Sequence, residues 1–499
     1  MSTKIFTIPG TKYKYCFPKQ PRVLTPQLKK TLRLEITKKL PSSVIPLHAS
    51  LVSNGKINLL IGGPSGSGKS ALSQALTRYR FKIIGNDFVA IWLEKNNLFA
   101  ADINLQNINK HKKSHLIHHI CFLQPNQSED VFRVSPQILR SIYARTLPPL
   151  EKKFVLKFQK NKLFKDIFDI HFCLGNRQNP NRWANAVVNV INYKPPKNIG
   201  IIGMGTIGQD LANLLVGQSW LSSLNLLSMN QNKLKSIILD LKSANPQLKI
   251  NRLSSPVKMF KNSDLVILCY SQNNPKKVVD TNNERHKKFI AHTEIGSDIV
   301  KYLNQSRIFS GTILVVTNPV DTLSWSIYHL SNLSPKSLQL NWGGLQSNQI
   351  YGIGLGLDQK RLDTLTNKQF QVVGEHGDQI IFARNKMGKL IAFKNNRLHK
   401  LLTKYSNRIR QHTARTRFGP VNEILYVINS LRKNDVNSIV RASTKLNNTF
   451  IGQPMNIRNG VPSIHYQYSI KLVNLLNETA TEHQKYQKLI LGHFKQKIP

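Results

Sequence analysis

The sequence has few acidic residues, few cysteines and no long apolar run. Its 499 residues include 25 Asp+Glu against 71 Lys+Arg, a formal net charge of +46. The four cysteines lie far apart with no C-x-x-C pair, so the sequence indicates neither a disulfide framework nor a zinc site and favours a reducing compartment. No apolar run approaches the roughly 18 residues of a membrane span, and the N-terminus lacks the apolar core of a secretory signal. We therefore expect a cytoplasmic chain with no membrane partner.

The basic excess raises nucleic acid as a partner, but its distribution argues against one binding patch. The first 190 residues hold 30 Lys+Arg against 9 Asp+Glu, and the rest hold 41 against 16. The densest stretch, residues 379–422, has eleven basic residues and no acid. Five of its apolar residues follow helical spacing: Leu398, Leu401, Leu402, Tyr405 and Ile409. We interpret this stretch as a core-packed helix with a solvated basic face, not as a nucleic-acid helix.

What is present indicates several globular domains of the α/β class. The 40% hydrophobic content suits packed cores, and strand-like runs alternate with helical segments along the chain. A polar segment with two prolines, residues 192–198, separates two such series. The predicted domains are 1–191, a linker at 192–198, then 199–340 and 341–499. Strands are predicted at Lys56–Gly62, Phe81–Ile84, Ile199–Ile202, Leu224–Leu227, Leu265–Leu268 and Ile313–Val316, and a helix at Lys69–Tyr79.

A G-x-x-x-x-G-K-[ST] motif lies between the first predicted strand and helix, which is the context of a phosphate-binding loop. Its backbone amides and lysine would hold the phosphates of ATP, and the Ser70 hydroxyl would coordinate Mg²⁺. The alternative is a glycine-rich turn with an exposed lysine. The motif residues are Gly63, Pro64, Ser65, Gly66, Ser67, Gly68, Lys69 and Ser70.

Residues around this loop resemble the HPr kinase/phosphorylase family and its phosphoenolpyruvate-carboxykinase-like relatives. His48 in P-L-H-A-S-L-V, the loop itself and K-I-I-G-N-D-F-V with Asp87 carry the resemblance. It implies a P-loop ATP-binding fold in which His48 acts as proton acceptor and Asp87 as a partner of Mg²⁺. Asn86 stands where the family has a second aspartate, which puts phosphoryl transfer in doubt but not nucleotide binding.

A second glycine motif, G-x-G-x-x-G, follows the predicted strand Ile199–Ile202 and indicates a dinucleotide loop in which pyrophosphate rests on a helix N-terminus. Its residues are Gly203, Met204, Gly205, Thr206, Ile207 and Gly208. With V-V-T-N-P-V-D, G-L-G-L-D-Q-K-R, G-E-H-G-D and T-R-F-G-P further on, residues from about 198 to 499 resemble the lactate/malate dehydrogenase family. The resemblance implies a Rossmann doubly wound parallel sheet, then an α+β catalytic domain, in a homo-oligomer that uses NAD or NADP.

The residue types fit hydride transfer between a 2-hydroxy acid and nicotinamide. His376 would be the base for the hydroxyl proton, and Asp358 would fix its tautomer. Arg361, three residues further along, would hold the substrate carboxylate, Asn318 would bind near the substrate, and Arg285 would polarise the carbonyl. In isolation, Asp358 and Arg361 would be read as a structural ion pair.

Two departures from the family concern specificity. Ser228 stands where the family has the acid that binds the adenosine ribose, so we expect weakened NAD preference and access for NADP. The position that separates lactate from malate falls near Val279, which matches neither branch.

The sequence therefore favours a 2-hydroxy-acid dehydrogenase fused to an ATP-binding, kinase-like domain, with a small 2-oxo or 2-hydroxy acid and ATP as ligands. Two alternatives remain open. One is a non-catalytic, nucleotide-sensing protein built from both folds, and the other is a basic, nucleic-acid-associated protein that uses inherited folds.

Overall fold

The computed structural model describes residues 4–7, 14–17, 44–94, 97–103, 114–125, 131–133, 171–175, 179–272, 288–306, 309–333, 344–377, 379–413, 416–434 and 437–495, with scattered positions between 27 and 40. The chain divides into two compact units, Met1–Ile191 and Asn192–Pro499.

In its described residues, the first unit is a set of β-sheets with two helices. A six-stranded sheet has the order β11-β12-β10-β5-β4-β6, a four-stranded sheet the order β3-β7-β8-β9, and β1 pairs with β2. The strands are β1 (Lys4–Thr7), β2 (Lys14–Phe17), β3 (Val44–Leu47), β4 (Ala49–Ser53), β5 (Asn58–Gly62), β6 (Lys82–Gly85), β7 (Val89–Glu94), β8 (Asn97–Asp102), β9 (His115–Leu116), β10 (His119–Gln124), β11 (Val131–Phe132) and β12 (His171–Gly175). The helices are α1 (Lys69–Leu76) and α2 (Pro180–Ile191).

The centre of the six-stranded sheet is parallel, because β5, β10 and β12 run in the same direction. These strands carry apolar runs that are buried on both faces, as parallel strands usually are. The predicted helix Lys69–Tyr79 is shorter than expected. It ends at Leu76, and Thr77–Tyr79 forms a 3₁₀ turn that Arg80 closes in the left-handed region, with φ of 66°.

The first half of the second unit is a doubly wound sheet. Its six parallel strands have the order β15-β14-β13-β16-β17-β18, which is 3-2-1-4-5-6 in chain order. The order reverses between β13 and β16, and this switch point is where such sheets bind ligands. The strands are β13 (Asn198–Ile202), β14 (Ser223–Leu227), β15 (Lys249–Leu253), β16 (Leu265–Leu268), β17 (Thr312–Val315) and β18 (Ile350–Gly352), and the helices are α3 (Thr206–Val216), α4 (Gln231–Ala244), α5 (Pro256–Asn262), α6 (Phe289–Ser306) and α7 (Val320–Leu333).

The second half is antiparallel except for the parallel pair β21 and β25, and it continues the same sheet, because β22 pairs with β18 across Ser443 and Gly352. From there the order is β22-β23-β19-β20-β21-β25, with β24 paired to β23. After a 3₁₀ turn at Ser347–Gln349, the elements are α8 (Leu355–Thr366), β19 (Gln371–Gly374), β20 (Ile380–Lys386), β21 (Lys389–Phe393), α9 (Asn396–Thr413), α10 (Phe418–Lys433), β22 (Val440–Leu446), β23 (Thr449–Arg458), β24 (Val461–Ile464), β25 (Gln467–Tyr468) and α11 (Ile470–Lys495).

The basic stretch contains the amphipathic helix α9. Leu398 and Leu402 are buried and Tyr405 and Ile409 are half-buried, but the expectation that Leu401 joins the core is wrong, since it is 37% exposed. Three residues after Leu398, it lies on the flank of the apolar stripe instead of at its centre. Across the described ranges, no helix is both long enough and apolar enough to cross a membrane.

Candidate active site and phosphate loop

The dinucleotide loop joins β13 to α3 at the switch point of the doubly wound sheet. Gly203 has φ of 105°, and a Cβ there would lie 2.7 Å from the Cys269 carbonyl oxygen on the next strand. A Cβ at Gly208 would lie 2.1 Å from the Gly203 carbonyl oxygen, so this glycine lets helix and strand pack closely. A Cβ at Gly205, at the helix N-terminus, would meet nothing within 4 Å. The loop therefore offers a helix N-terminus with open space before it, which fits a pyrophosphate.

Ser228 lies directly after β14, at the position expected to face the adenosine ribose. The Gln231 side chain donates to its carbonyl oxygen at 2.7 Å, and Asn230 caps α4 by accepting from the Lys233 amide at 2.9 Å. These contacts fix the backbone of the turn and place a neutral hydroxyl at residue 228. A hydroxyl does not repel a 2′-phosphate as a carboxylate does.

His376 and Asp358 are in direct contact. Nδ1 of His376 lies 2.6 Å from Oδ2 of Asp358, and the same oxygen accepts from the Gly377 amide at 3.2 Å. Because the carboxylate accepts at Nδ1, the neutral imidazole carries its proton there and leaves Nε2 as the proton acceptor. A Cβ at Gly354 would come 2.4 Å from Cγ of His376, so the chain must have glycine beside the ring.

Arg361 lies one helical turn from Asp358 on α8. Its Nη1 is 3.6 Å from Oδ1 of Asp358, and both side chains are largely buried. Asn318 is exposed just beyond the end of β17, and its carbonyl oxygen lies 2.6 Å from Nδ1 of His292. Burial lowers the pKa of His292, although that hydrogen bond opposes the shift, so the ring is neutral near neutral pH. The structure thus brings together His376, Asp358 and Arg361, whereas Arg285, Val279 and Asp378 lie outside the described residues.

The structure adds a group of residues behind His376 to which sequence reasoning gave no role. The His376 amide donates to Oδ2 of Asp321 at 3.1 Å, and the Ser443 hydroxyl donates to the other carboxylate oxygen. The Glu375 carboxylate lies 3.2 Å from Nε2 of His483 on α11. Burial raises the pKa of Asp321, and the Glu375 charge raises it further.

One sequence signal could have revealed His483. It belongs to the buried stripe of the last helix, which repeats every three or four residues. The members of that stripe are Leu472, Leu476, Thr479, His483, Gln487 and Ile490. A histidine among apolar positions is unusual because its burial requires polar partners.

The glycine-rich loop of the first unit, Gly63–Ser70, runs from β5 into α1. Three glycines have positive φ: Gly63 at 154°, Gly66 at 73° and Gly68 at 97°. The ammonium of Lys69 turns back over the loop and donates to the carbonyl oxygens of Gly63 at 3.0 Å and Pro64 at 2.9 Å. Burial lowers the pKa of Lys69 to about 8, although the Asp87 charge opposes the shift. A buried ammonium that lacks full charge compensation suits an anionic ligand such as phosphate.

The residues expected to assist phosphoryl transfer lie beside this loop. Nε2 of His48 is 3.5 Å from Oδ1 of Asp87. The backbone of Asp87 is in the left-handed region, with φ of 76°. The Ser50 hydroxyl donates to Oδ1 of Asn86 at 2.6 Å, and the Asn86 amide approaches the Ser70 hydroxyl at 3.5 Å. Asn86 therefore presents a neutral amide to Ser70.

Comparison with known proteins finds relatives of the second unit. Residues 197–339 match the family described as lactate/malate dehydrogenase, NAD binding domain. L-lactate dehydrogenase 3 of Bacillus thuringiensis is 26% identical over 323 residues, which cover 58% of this chain and 94% of that protein. L-lactate dehydrogenase of Acetivibrio thermocellus is 28% identical over 213 residues, covering 38% of this chain and 58% of that protein. A solved malate dehydrogenase from Archaeoglobus fulgidus, in complex with NADH, aligns with a TM-score of 0.48 and 17% identity, covering 59% of this chain and 99% of that chain.

Proposed function

We propose, from the premise that the C-terminal segment belongs to the lactate/malate dehydrogenase family, that this unit oxidises a small 2-hydroxy acid with NAD or NADP and reduces the matching 2-oxo acid. The observation that carries the proposal is the contact of 2.6 Å between Nδ1 of His376 and Oδ2 of Asp358. The match of residues 197–339 to an NAD-binding domain supports the cofactor.

The residues divide the chemistry between them. In the oxidation direction, Nε2 of His376 accepts the hydroxyl proton, and Asp358 stabilises the imidazolium that results. The guanidinium of Arg361 holds the substrate carboxylate, and Asn318 donates or accepts at the reacting oxygen. When bound, the nicotinamide accepts the hydride that leaves C2 of the hydroxy acid. Two electrons leave as hydride and one proton goes to His376, so the step balances.

The experiment is a substrate panel followed by the absorbance of the reduced nicotinamide. Purified full-length protein is given pyruvate, oxaloacetate and longer 2-oxo acids with each reduced cofactor. We expect turnover with at least one of these acids. The absence of turnover with every acid would favour the alternative, a nucleotide-sensing protein that binds its ligands without reaction.

Cofactor choice should depend on Ser228. The Ser228→Asp variant should raise the ratio of kcat/KM with NAD to that with NADP by about tenfold to a hundredfold, because a carboxylate accepts from the ribose hydroxyls and repels the 2′-phosphate. The matched control is Ser243→Asp, which adds the same charge at an exposed position at the end of α4. An unchanged ratio in Ser228→Asp, or strict use of NAD by the natural chain, would contradict this prediction.

For the first unit we propose ATP binding with Mg²⁺. The supporting observation is that Lys69 lies over a loop with three positive-φ glycines at the start of a helix. The residues fit the ligand: loop amides and Lys69 face the phosphates, and Ser70 and Asp87 supply oxygen ligands for the cation. His48 beside Asp87 would accept a proton if the unit transfers phosphate to a hydroxyl.

Removal of the Lys69 ammonium should weaken binding of ATP. We expect Lys69→Ala to raise the Kd for MgATP by about tenfold to a hundredfold, the value of a charge-assisted hydrogen bond. The Kd of the natural chain should also rise from about pH 7 to about pH 9, because free Lys69 loses its proton near a pKa of about 8 and the phosphates require its charged form. This pH dependence should vanish in Lys69→Ala, as measured by calorimetric titration.

The control for this experiment is Lys56→Ala, an exposed lysine in the turn before β5. Its Kd should match that of the natural chain. Equal affinities in all three proteins would show that Lys69 contacts no phosphate.

A further inference from the structure

His483, on the buried side of α11, contacts the loop that carries His376. His483 is fully buried, on the same stripe as Leu476 and Thr479. Its Nε2 lies 3.2 Å from Oε2 of Glu375, and its Nδ1 lies 3.2 Å from the Thr449 hydroxyl oxygen. Nε2 faces a carboxylate that can only accept, whereas the Thr449 hydroxyl can accept from Nδ1 or donate to it, so the imidazolium form satisfies both contacts.

Two carboxylates lie buried in the same place. Asp321 is 2% exposed and Glu375 is 4% exposed. Asp321 accepts from the His376 amide, and Glu375 is the residue directly before His376 in the chain. Two buried carboxylates without a cation would be strongly unfavourable, because burial penalises each charge and the two charges repel each other.

The electrostatics of the group agree with this geometry. Burial alone would lower the pKa of His483, but the adjacent Glu375 carboxylate, followed by the charges of Asp321 and the exposed Glu482, raises it overall. The charges nearest His376 are those of Asp358 at Nδ1 and Asp321 at its backbone amide, with Arg361 beyond Asp358.

We propose that His483 is a positioning residue which, as a buried imidazolium, is the counter-ion of Glu375 and Asp321 and so sets the pH range in which His376 accepts a proton. The proposal rests on the proposed function of His376 as the base. Without the charge of His483, the two carboxylates would stabilise a protonated His376. His376 would then stay protonated to higher pH, and hydroxy-acid oxidation, which needs the neutral ring, would begin at higher pH.

The test compares His483→Gln with the double variant Glu375→Gln/His483→Gln in the full-length chain. Histidine is labelled with ¹⁵N, and the titration midpoint of the His376 ring is read by NMR, assigned by its loss in His376→Asn. We expect His483→Gln to raise this midpoint by about one pH unit, and the double variant, which removes one charge of each sign, to return it to the natural value. A loss of packing alone would not be reversed by a second substitution.

A measurement on the natural chain covers the case in which the variants do not fold. The ¹⁵N shifts of His483, assigned by their change in Thr449→Val, should show both nitrogens protonated at neutral pH and above. A neutral His483 at pH 7, an unchanged His376 midpoint in His483→Gln, or a double variant as shifted as the single one would overturn the proposal.

These readouts separate the inference from the proposed function, because NMR midpoints need no turnover. A chain that reduces no 2-oxo acid but shows the expected midpoints refutes the dehydrogenase proposal alone. Turnover with midpoints that do not move refutes the role of His483 alone. If the chain turns over and the His376 midpoint moves as expected, the acid limb of kcat/KM for oxidation should move to higher pH in His483→Gln by the same amount as that midpoint.

Discussion

The His376→Asn variant should lose about a thousandfold or more in kcat/KM in both directions of the reaction. Asparagine fills a similar space and can still contact Asp358, but it has no nitrogen that accepts a proton near neutral pH. General acid–base catalysis contributes about 10² to 10⁴ in rate, and here the hydroxyl proton has no other acceptor among the named residues. The measurement is steady-state kinetics with whichever acid the substrate panel identifies.

The matched control is His412→Asn. His412 is an exposed histidine in the last turn of α9, so its replacement makes the same chemical change without touching the site. Its kcat/KM should stay within a factor of two of the natural value. Both variants should bind the reduced cofactor as the natural chain does, because neither residue lies in the loop Gly203–Gly208. Full activity in His376→Asn would remove His376 from the reaction.

The Asp358→Asn variant should lose about 10³ to 10⁴ in kcat with little change in fold. An asparagine amide donates to Nδ1 of His376, whereas the present carboxylate accepts from it at 2.6 Å. The ring would then carry its proton on Nε2, the atom that must accept the substrate proton, and the imidazolium would lose its counter-charge. The pH dependence of kcat distinguishes this effect from a loss of binding, since the missing carboxylate removes support for protonated His376.

Asp363→Asn is the control on the same helix. Asp363 accepts from the Gln359 side chain at 2.6 Å, so it makes a structural hydrogen bond away from His376. Its replacement should affect the free energy of unfolding more than kcat. If Asp358→Asn and Asp363→Asn had equal kcat values, the pair of Asp358 and Arg361 would be a structural ion pair.

The doubly wound half of the fold could be predicted closely from sequence. Its central strands are short apolar runs buried on both faces, and the four predicted strands agree with the structure to within one residue at either end, as Leu265–Leu268 and Thr312–Val315 show. The edge strand β15, Lys249–Leu253, mixes buried with exposed residues and was not predicted. The antiparallel half was less predictable. The chain there alternates less regularly, and the pairing of β22 with β18 depends on a contact between Ser443 and Gly352 that no local pattern encodes.

The candidate site also has a part that the sequence predicted and a part that it did not. His376, Asp358 and Arg361 stand in recognisable motifs, and the spacing of Asp358 and Arg361 by three residues indicated a shared helix face. The contact of His483 with Glu375 was not predictable, because His483 is 107 positions after His376 in the sequence. Only the packing of the last helix brings it to Glu375. The sequence alone does not show which polar groups a buried histidine will contact.

An acidic residue outside the candidate site has a structural role in the doubly wound sheet. The Asp264 carboxylate accepts from the Lys197 and Asn198 amides at 3.0 and 2.9 Å, which fixes the start of β13. These hydrogen bonds give Asp264 a structural role in the doubly wound sheet.

Isotope transfer is the sharpest test of hydride transfer at the His376 site. The full-length chain is incubated with reduced cofactor that carries deuterium at C4 of the nicotinamide, together with each 2-oxo acid, and the products are analysed by mass spectrometry. We expect a 2-hydroxy acid one mass unit heavier, with deuterium at C2, from the natural chain and none above background from His376→Asn. The absence of deuterium from every hydroxy acid, or equal incorporation by His376→Asn, would contradict hydride transfer at the His376 site.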